Sequence, residues 1–256
     1  MKTILIRLSL AFSTFTLAAC GGGGGGGGSN DSSPPSDTTP AAEPTAEGRW
    51  SGTESGGFDF DLIIKNDGEL WLIYGDDTGV FGFMQGSSST DGNEFTSTNI
   101  RDYSFLDSVM YRADVQAQFL TQESFDGLVT YDNLAMTTNF TSTYVDAYEL
   151  EPSLSSIAGT YDGEVAGTAG FEVAVTEISE SGELSGLTSG GCAFDGSVSP
   201  NPNGNVYDVE VTFQGGPCLA GTETVGGAAY EEAGFLYAAV VTGSRDDGFL
   251  LLGQRR

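Results

Sequence analysis

The sequence contains no histidine and only two lysines, Lys2 and Lys65. Without an imidazole, the chain has no Ser-His-Asp or Cys-His catalytic set, no histidine-ligated zinc site and no proton shuttle of the usual kind near neutral pH. Lysine and arginine together number 9 against 36 acidic residues, for a net charge of −27. Because phosphate backbones are bound by Lys and Arg clusters, this charge argues against a nucleic-acid partner and against a basic membrane-binding patch.

The apolar run near the N-terminus, from Leu8 to Leu17, is short. Two cations, Lys2 and Arg7, lie at or before its start, and small residues follow it. This layout is typical of a secretory signal segment, and the run is too short to span a bilayer. We therefore predict that residues 1–19 are a signal peptide.

The predicted signal peptide is followed by Cys20, in the sequence Leu17-Ala18-Ala19-Cys20. This stretch resembles the lipobox of bacterial lipoproteins. The resemblance implies cleavage before Cys20 and acylation of that residue, so that the lipid bilayer is the first partner of the chain. Gly21 stands where an Asp in this family often directs inner-membrane retention, which implies anchoring at the cell outer membrane, on its periplasmic or its surface side. The alternatives are an ordinary signal peptide, or a Cys20 that forms a disulfide.

An unbroken glycine run, Gly21–Gly28, follows Cys20, and residues 29–47 are rich in Ser, Pro, Thr and Ala. Polyglycine loses the most backbone entropy on ordering and offers no side chain to bury. We predict that residues 20–47 are a lipidated cysteine and a disordered tether. The other two cysteines, Cys192 and Cys218, form an even pair in an exported chain, which favours a structural disulfide over a reactive dithiol.

From Gly48 onward the sequence consists of short strand-like runs, such as Phe58–Leu62 and Glu69–Tyr74, separated by turn residues. Asn66-Asp67-Gly68 between them favours a tight hairpin. The acidic turns lack the spacing of a calcium loop, and residues 102–111 are expected to form a turn or a short helix. Roughly eight strands at hairpin spacing fit each half of the chain. We predict an all-β fold of two tandem antiparallel meander barrels, residues 48–154 and 155–256.

Three short segments of the first half have counterparts in the second half, in the same order. The pairs are Gly48–Gly52 with Gly159–Gly163, Asp67–Leu70 with Ser181–Leu184, and Gly127–Tyr131 with Gly226–Tyr230. The shared order favours an internal duplication, although Gly-aromatic-Gly strand starts also occur in unrelated β proteins. The opening motif followed by a meander is similar to small lipocalin-type barrels and to the barrel domains of Gram-negative surface lipoproteins.

Large aromatic side chains are concentrated in the first half, where most are expected to fill the core. Eight-stranded barrels can also hold one small ligand. The candidate ligand-binding residues are Trp50, Trp71, Tyr74 and Phe83. The second half has fewer large rings and is expected to be a solidly packed barrel.

Asp59 and Asp61 lie two residues apart, so a strand places both carboxylates on one face, where Glu54 can join them. Such pairs serve glycosidases or bind hard cations, but the alternating apolar residues favour a solvated face. Lys65, on a hairpin edge, is expected to be exposed. We predict no catalytic set, metal site or cofactor. The expected function is that of a non-catalytic binding module of the cell envelope with a protein or small-molecule partner. A small-ligand barrel is the main alternative, and an Asp/Glu-dependent hydrolase the weaker one.

Overall fold

The computed structural model describes residues 43–256, which belong to one compact unit. The predicted signal peptide, Cys20 and most of the predicted tether lie outside these residues. Within the described range, no helix is long and apolar enough to cross a lipid bilayer.

The first half of the body is a sheet of antiparallel strands that closes on itself. Its strands are β1 (Gly48–Glu54), β2 (Asp59–Ile64), β3 (Glu69–Asp76), β4 (Gly79–Ser87), β5 (Ser89–Asp91), β6 (Glu94–Ser104), β7 (Val109–Leu120), β8 (Ser124–Tyr131) and β9 (Met136–Tyr144). Most neighbours in sequence pair as hairpins, while β1 pairs with β9 and β4 pairs with β6. These two pairings close an eight-stranded barrel, and the short β5 extends it only beside β6.

A 3-10 helix (Asp146–Glu149) and a one-turn helix, α1 (Leu154–Ile157), lead into the second half. Its strands are β10 (Gly159–Gly167), β11 (Gly170–Ile178), β12 (Glu183–Thr188), β13 (Ala193–Pro200), β14 (Tyr207–Phe213), β15 (Thr224–Glu232), β16 (Phe235–Val241) and β17 (Gly248–Arg255). They form a closed meander in which β17 pairs with β10. The prediction of two tandem eight-stranded antiparallel barrels is confirmed.

The two barrels begin with the same structural device. Gly48 and Gly159 both have positive φ, at 151° and 153°. Two residues later, the Trp50 Nε1–H donates to the carbonyl of Ala46 at 3.0 Å, and the Tyr161 hydroxyl donates to the carbonyl of Ile157 at 2.6 Å. Both rings are fully buried and bond to the carbonyl four residues upstream, so each closes one end of its barrel.

Ring closure explains the second glycine of each opening motif. A Cβ on Gly52 would collide with the carbonyl oxygen of Thr141 in β9, and a Cβ on Gly163 would collide with that of Leu252 in β17. The first strand approaches the last too closely for a side chain at either position. The first pair of matched segments therefore occupies equivalent positions in the two barrels.

The second pair of matched segments is also equivalent, since it forms the turn between the second and third strands of each barrel, where Gly68 and Gly182 both have a φ of 84°. The third pair is not equivalent. Gly127–Tyr131 lies in β8, the seventh strand of its barrel, whereas Gly226–Tyr230 lies in β15, the sixth. That match was wrong, because glycine is favoured wherever the backbone of a neighbouring strand lies close, whichever strand of the barrel it is.

Residues 102–111 form the hairpin of β6 and β7, with a turn at residues 105–108, so the predicted turn is confirmed and the alternative of a short helix is not. Two further expectations are corrected. The end of the predicted tether is ordered: Ala46 is buried, and the backbone N–H of Thr45 donates to the Thr121 hydroxyl. Lys65 is 7% exposed rather than free in solvent. The disulfide prediction is confirmed, since Cys192 and Cys218 are bonded.

The outer faces of the two barrels pack against each other through an apolar cluster. In the first barrel, Trp71, Phe83 and Tyr103 point outward into it, and the rings of Phe83 and Tyr103 stack with centroids 4.7 Å apart. Residues of β15, β16 and β17, together with Val206 in the loop before β14 and Tyr148 of the 3-10 helix, form the other side. A Cβ on Gly248 would lie 2.5 Å from Phe83, so the absence of a side chain there permits the contact.

Polar contacts surround this apolar interface. Arg49 pairs with Asp61 at 2.9 Å and with Glu232 of the second barrel at 2.7 Å. Lys65 pairs with Glu69 at 2.8 Å and with Asp208 of the second barrel at 2.7 Å. Asp61 therefore belongs to the interface rather than to a solvated carboxylate face, because its partner Arg49 also pairs with Glu232 of the second barrel.

Candidate ligand-binding cavities

The second barrel encloses a cavity of about 350 Å³. Its wall is mostly apolar, built from inward-facing residues of several strands: Leu184, Phe194, Val209, Val211, Phe213, Ala238, Val240 and Leu251. The cavity reaches the turns at residues 167–170 and 217–220, at the end of the barrel opposite Tyr161. The expectation of a solid second barrel was wrong, since alanine and valine side chains leave space where larger side chains would fill it.

The mouth of this second-barrel cavity has an apolar rim. Phe171 is 71% exposed and Leu219 is 78% exposed. Leu219 directly follows Cys218, and the bond to Cys192 fastens this loop to the start of β13. Two carboxylates, those of Glu172 and Asp247, also line the cavity. The mouth therefore combines apolar contact surface with negative charge.

The first barrel encloses a smaller cavity of about 270 Å³, which opens among its β1–β2, β6–β7 and β8–β9 turns. This is the end opposite the buried ring of Trp50. Leu106, Leu134 and Met136 form an exposed apolar rim, and Phe60 and Phe140 lie deeper. In both barrels, then, one end is closed by the aromatic residue of the opening motif and the other end is accessible.

A buried carboxylate distinguishes the first cavity. Asp102 of β6 lines it and is 3% exposed. The Tyr74 hydroxyl donates to Oδ1 at 2.9 Å, and the Tyr131 hydroxyl donates to Oδ2 at 2.7 Å. Burial raises the pKa of Asp102 to about 6; the two phenolic hydrogen bonds lower it, and nearby Asp107 raises it further. Burial and the neighbouring carboxylate also raise the pKa of both tyrosines.

Sequence reasoning missed Asp102 for a physical reason. The β6–β7 pairing contains an irregularity between Ser97 and Ile100, which shifts the in-and-out alternation of β6. Because of this shift, Ile100 and Asp102 both face the interior. Ile100 and Asp102 are two positions apart, so a strand places both on one face, and this spacing could have indicated that Asp102 faces the interior. The expectation of a turn or helix at residues 102–111 obscured it.

The structure separates the four predicted ligand-binding residues. Tyr74 lines the first cavity. Trp50 lies in the barrel core against Phe125, while Trp71 and Phe83 face the second barrel from the outer surface. The odd spacing between Trp71 and Tyr74 places them on opposite faces of β3, so they cannot line one cavity.

The predicted acidic face is not assembled into a catalytic pair. Glu54 accepts hydrogen bonds from the backbone N–H groups of Gly56 and Phe58, Asp61 pairs with Arg49, and Asp59 is exposed. Within residues 43–256, no group of three or more acidic or cysteine side chains is arranged to hold a metal ion.

A separate apolar surface lies on the outside of the second barrel. Val173 and Val175 of β11 are exposed, and Val175 is paired in register with the exposed Leu187 of β12. Because outward positions of a solvated sheet are usually polar, this run is a candidate contact surface.

The sequence matches no protein-family model and no curated protein. Among solved structures, the chain is similar to a double mutant of Transferrin Binding Protein B from Haemophilus parasuis, with 10% identity over 77% of this chain and 65% of that one, and a TM-score of 0.27. It is also similar to isotype 1 Transferrin binding protein B from serogroup B Neisseria meningitidis, with 7% identity over 78% and 66% of the two chains and a TM-score of 0.30.

A protein of unknown function from the DUF3598 family of Nostoc punctiforme gives 10% identity over 82% of this chain and 96% of that one, with a TM-score of 0.33. This chain thus matches about two thirds of the length of each of the two transferrin-binding proteins. At these identities and scores, no ligand or partner is transferred from any of these proteins to this chain.

Proposed function

We propose that this chain is a non-catalytic binding protein that holds a small, neutral, apolar molecule inside its second barrel. The observation that supports this most directly is the open apolar cavity of about 350 Å³. Small-molecule sites typically occupy about 300–1,000 Å³ with mostly apolar walls. A ligand that buries roughly 300 Å² of apolar surface gains about 7.5 kcal/mol before the entropic cost of association, which would correspond to a dissociation constant of about 3 μM. Because that cost is subtracted from the gain, we expect binding to be weaker than this, with dissociation constants of about 100 μM or more.

The charge of the mouth selects among apolar ligands. Glu172 and Asp247 place two carboxylates along the cavity wall, and within the lining residues no Lys or Arg opposes them. An anionic amphiphile, such as a fatty acid, would bring a third negative charge into this region. We therefore expect neutral ligands to bind more tightly than carboxylates of the same length.

Binding of N-phenyl-1-naphthylamine, a neutral fluorescent probe, tests this proposal. The full chain carrying Cys20→Ala is used, so that no acyl chain or detergent competes for the site. Ala220 lines the cavity near its mouth, and we expect Ala220→Trp to fill it and abolish the fluorescence increase. Ser185→Trp, on the exposed outer side of β12, is the matched control and should bind normally. Equal binding by both variants would refute the assignment to this cavity.

We further propose that the chain is exported and anchored to the outer membrane through an acylated Cys20. The support is the signal-like segment of residues 1–19 and the lipobox-like residues before Cys20. The described chain enters the first barrel at its closed end, so the mouth of that barrel faces away from the entry point. Cys20→Ala should move the protein from the detergent phase to the aqueous phase. Unchanged partition would refute the proposed acyl anchor.

A second candidate function, binding to a partner protein, is favoured by the exposed apolar run of Val173, Val175 and Leu187. A partner protein that covers these side chains would remove their apolar surface from water, which favours binding. Leu187→Gln should weaken capture of an envelope or host protein without changing probe binding inside the barrel. If capture persists unchanged, this surface is not the contact.

A further inference from the structure

The first-barrel cavity holds a feature that the proposed apolar site of the second barrel lacks. Asp102 is a buried carboxylate inside it, and each carboxylate oxygen accepts one tyrosine hydroxyl. A carboxylate offers about four lone-pair positions, so the two phenols leave acceptor capacity for further donors. The two phenols also fix the plane and position of the carboxylate, because they reach it from β3 and β8, on either side of the barrel.

The charge of Asp102 is not balanced by a neighbouring cation. The titratable groups around the cavity are Tyr74, Tyr111 and Tyr131 on the wall, with Asp107 and Glu54 toward the mouth. None of these groups is a cation. None of the ion pairs within residues 43–256 includes Asp102. A buried anion surrounded in this way is stabilised most by a positive group that enters from the cavity.

The remaining wall is suited to the apolar body of a ligand. Phe58, Phe60 and Phe140 contribute aromatic rings, and Leu72 and Met84 contribute aliphatic surface. The faces of aromatic rings attract cations as well as apolar groups. The cavity therefore presents one anionic hydrogen-bond acceptor at depth within an otherwise aromatic and aliphatic enclosure.

We propose that the first-barrel cavity binds a primary organic ammonium ion, whose N–H groups donate to the Asp102 carboxylate while its apolar part packs against the aromatic wall. The site lies in the other barrel, its carboxylate is buried whereas Glu172 and Asp247 are exposed, and its ligand class is different, so each proposal can fail without the other.

The pH dependence of binding follows from the protonation of Asp102. Ammonium binding requires the carboxylate, which predominates above its pKa of about 6. The affinity should be constant above about pH 7 and should fall as the pH drops through 6. A neutral ligand that accepts a hydrogen bond from protonated Asp102 would behave in the opposite way and bind more tightly below pH 6.

Calorimetric titration of the full chain carrying Cys20→Ala tests the proposal with three probes of equal length: n-octylammonium, n-octanol and octanoate. High salt is included, because it screens weak ammonium binding to the acidic surface far more than binding to a buried site. At pH 7.5 we expect n-octylammonium to bind at least about 30-fold more tightly than n-octanol, given the usual effect of a buried hydrogen-bonded charge pair. Octanoate should not bind.

Asp102→Asn should weaken n-octylammonium binding by at least about 30-fold and abolish its pH dependence. Asp77→Asn, which removes an exposed carboxylate from the β3–β4 turn, is the matched control and should bind like the parent chain. If Asp102→Asn fails to fold, Tyr131→Phe replaces it. Loss of one phenolic donor should raise the pH at which binding is half lost, because the carboxylate becomes easier to protonate.

Equal affinity for n-octanol and n-octylammonium would overturn the proposal, as would unchanged binding by Asp102→Asn. Tighter binding below pH 6 would also overturn it. Ala220→Trp in the second barrel should leave n-octylammonium binding intact. Its loss in that variant would assign the ammonium ion to the other cavity.

Discussion

Replacing Lys65 with methionine tests how strongly the two barrels are joined. The Lys65 ammonium is buried between Glu69 of its own barrel and Asp208 of the other, at 2.8 and 2.7 Å. Methionine keeps the unbranched chain and the apolar packing but removes the charge. The two carboxylates then face each other without a cation. Complete burial would make this cost about 3–5 kcal/mol. Because the Asp208 side chain is 44% exposed and Glu69 is partly exposed, water recovers much of it, and we expect a loss of about 1–2 kcal/mol.

Urea denaturation followed by tryptophan fluorescence measures this loss. Both tryptophans belong to the first barrel, and Trp71 lies in the interface, so its emission reports separation of the barrels as well as unfolding. Asp208→Asn alone should cost less than Lys65→Met, because Lys65 retains Glu69. The double variant should lose less unfolding free energy than the sum of the two single variants, since both substitutions remove the same interaction.

Strict additivity of the two substitutions would refute this account of the interface, because it would mean that Lys65 and Asp208 do not interact. The pH dependence provides a second check. Burial lowers the pKa of Lys65, but its bonds to Asp208 and Glu69 outweigh this effect and raise the pKa above its ordinary value of 10.5. The contribution to stability should be complete below that value and lost as the pH rises beyond it.

Three further outcomes are expected. Gly248→Ala should destabilise the interface by about 1–3 kcal/mol in urea denaturation, because the new methyl group meets Phe83. Gly243→Ala, at a position with open space around it, should have little effect, and equal losses in the two variants would contradict the packing argument. Replacing Cys192 and Cys218 with serine should lower the free energy of unfolding by roughly 3–4 kcal/mol, measured without reductant, and an unchanged value would rule out a stabilising bond. Since the folded pKa of Asp102 is raised, its own contribution to folding stability should increase by up to about 3 kcal/mol as the pH falls from above 6 to below 4, and the difference in unfolding free energy between the parent chain and Asp102→Asn should change by this amount over the same range.

The strands and the closure of each half could be predicted because alternation and turn residues act locally. The hairpin at Asn66-Asp67-Gly68 and the opening glycines illustrate this, since each depends on conformations that few other residues adopt. The disulfide was predictable because an even pair of cysteines, in a chain predicted to be exported, has few other roles.

The cavities and the interface could not be predicted in the same way. Whether a barrel is solid or open depends on how side chains from eight strands fill one volume, and Ala238 or Val240 gives no sign of this alone. Lys65 resembled an exposed hairpin residue because its second partner, Asp208, lies 143 positions away. Trp71 and Phe83 resembled core residues and are buried, but by the other barrel.

The position at which the N-terminal segment enters the fold determines how the body responds to mechanical force. Residues 45–47 lead directly into β1, which pairs with β2 over six positions and with β9 over five. A pull on the segment acts on a strand that is hydrogen-bonded along both edges, so two ladders must rupture before this barrel opens. A strand held along one edge would detach after the loss of a single ladder. A pull applied through residues 45–47 would therefore load both ladders of β1 at once.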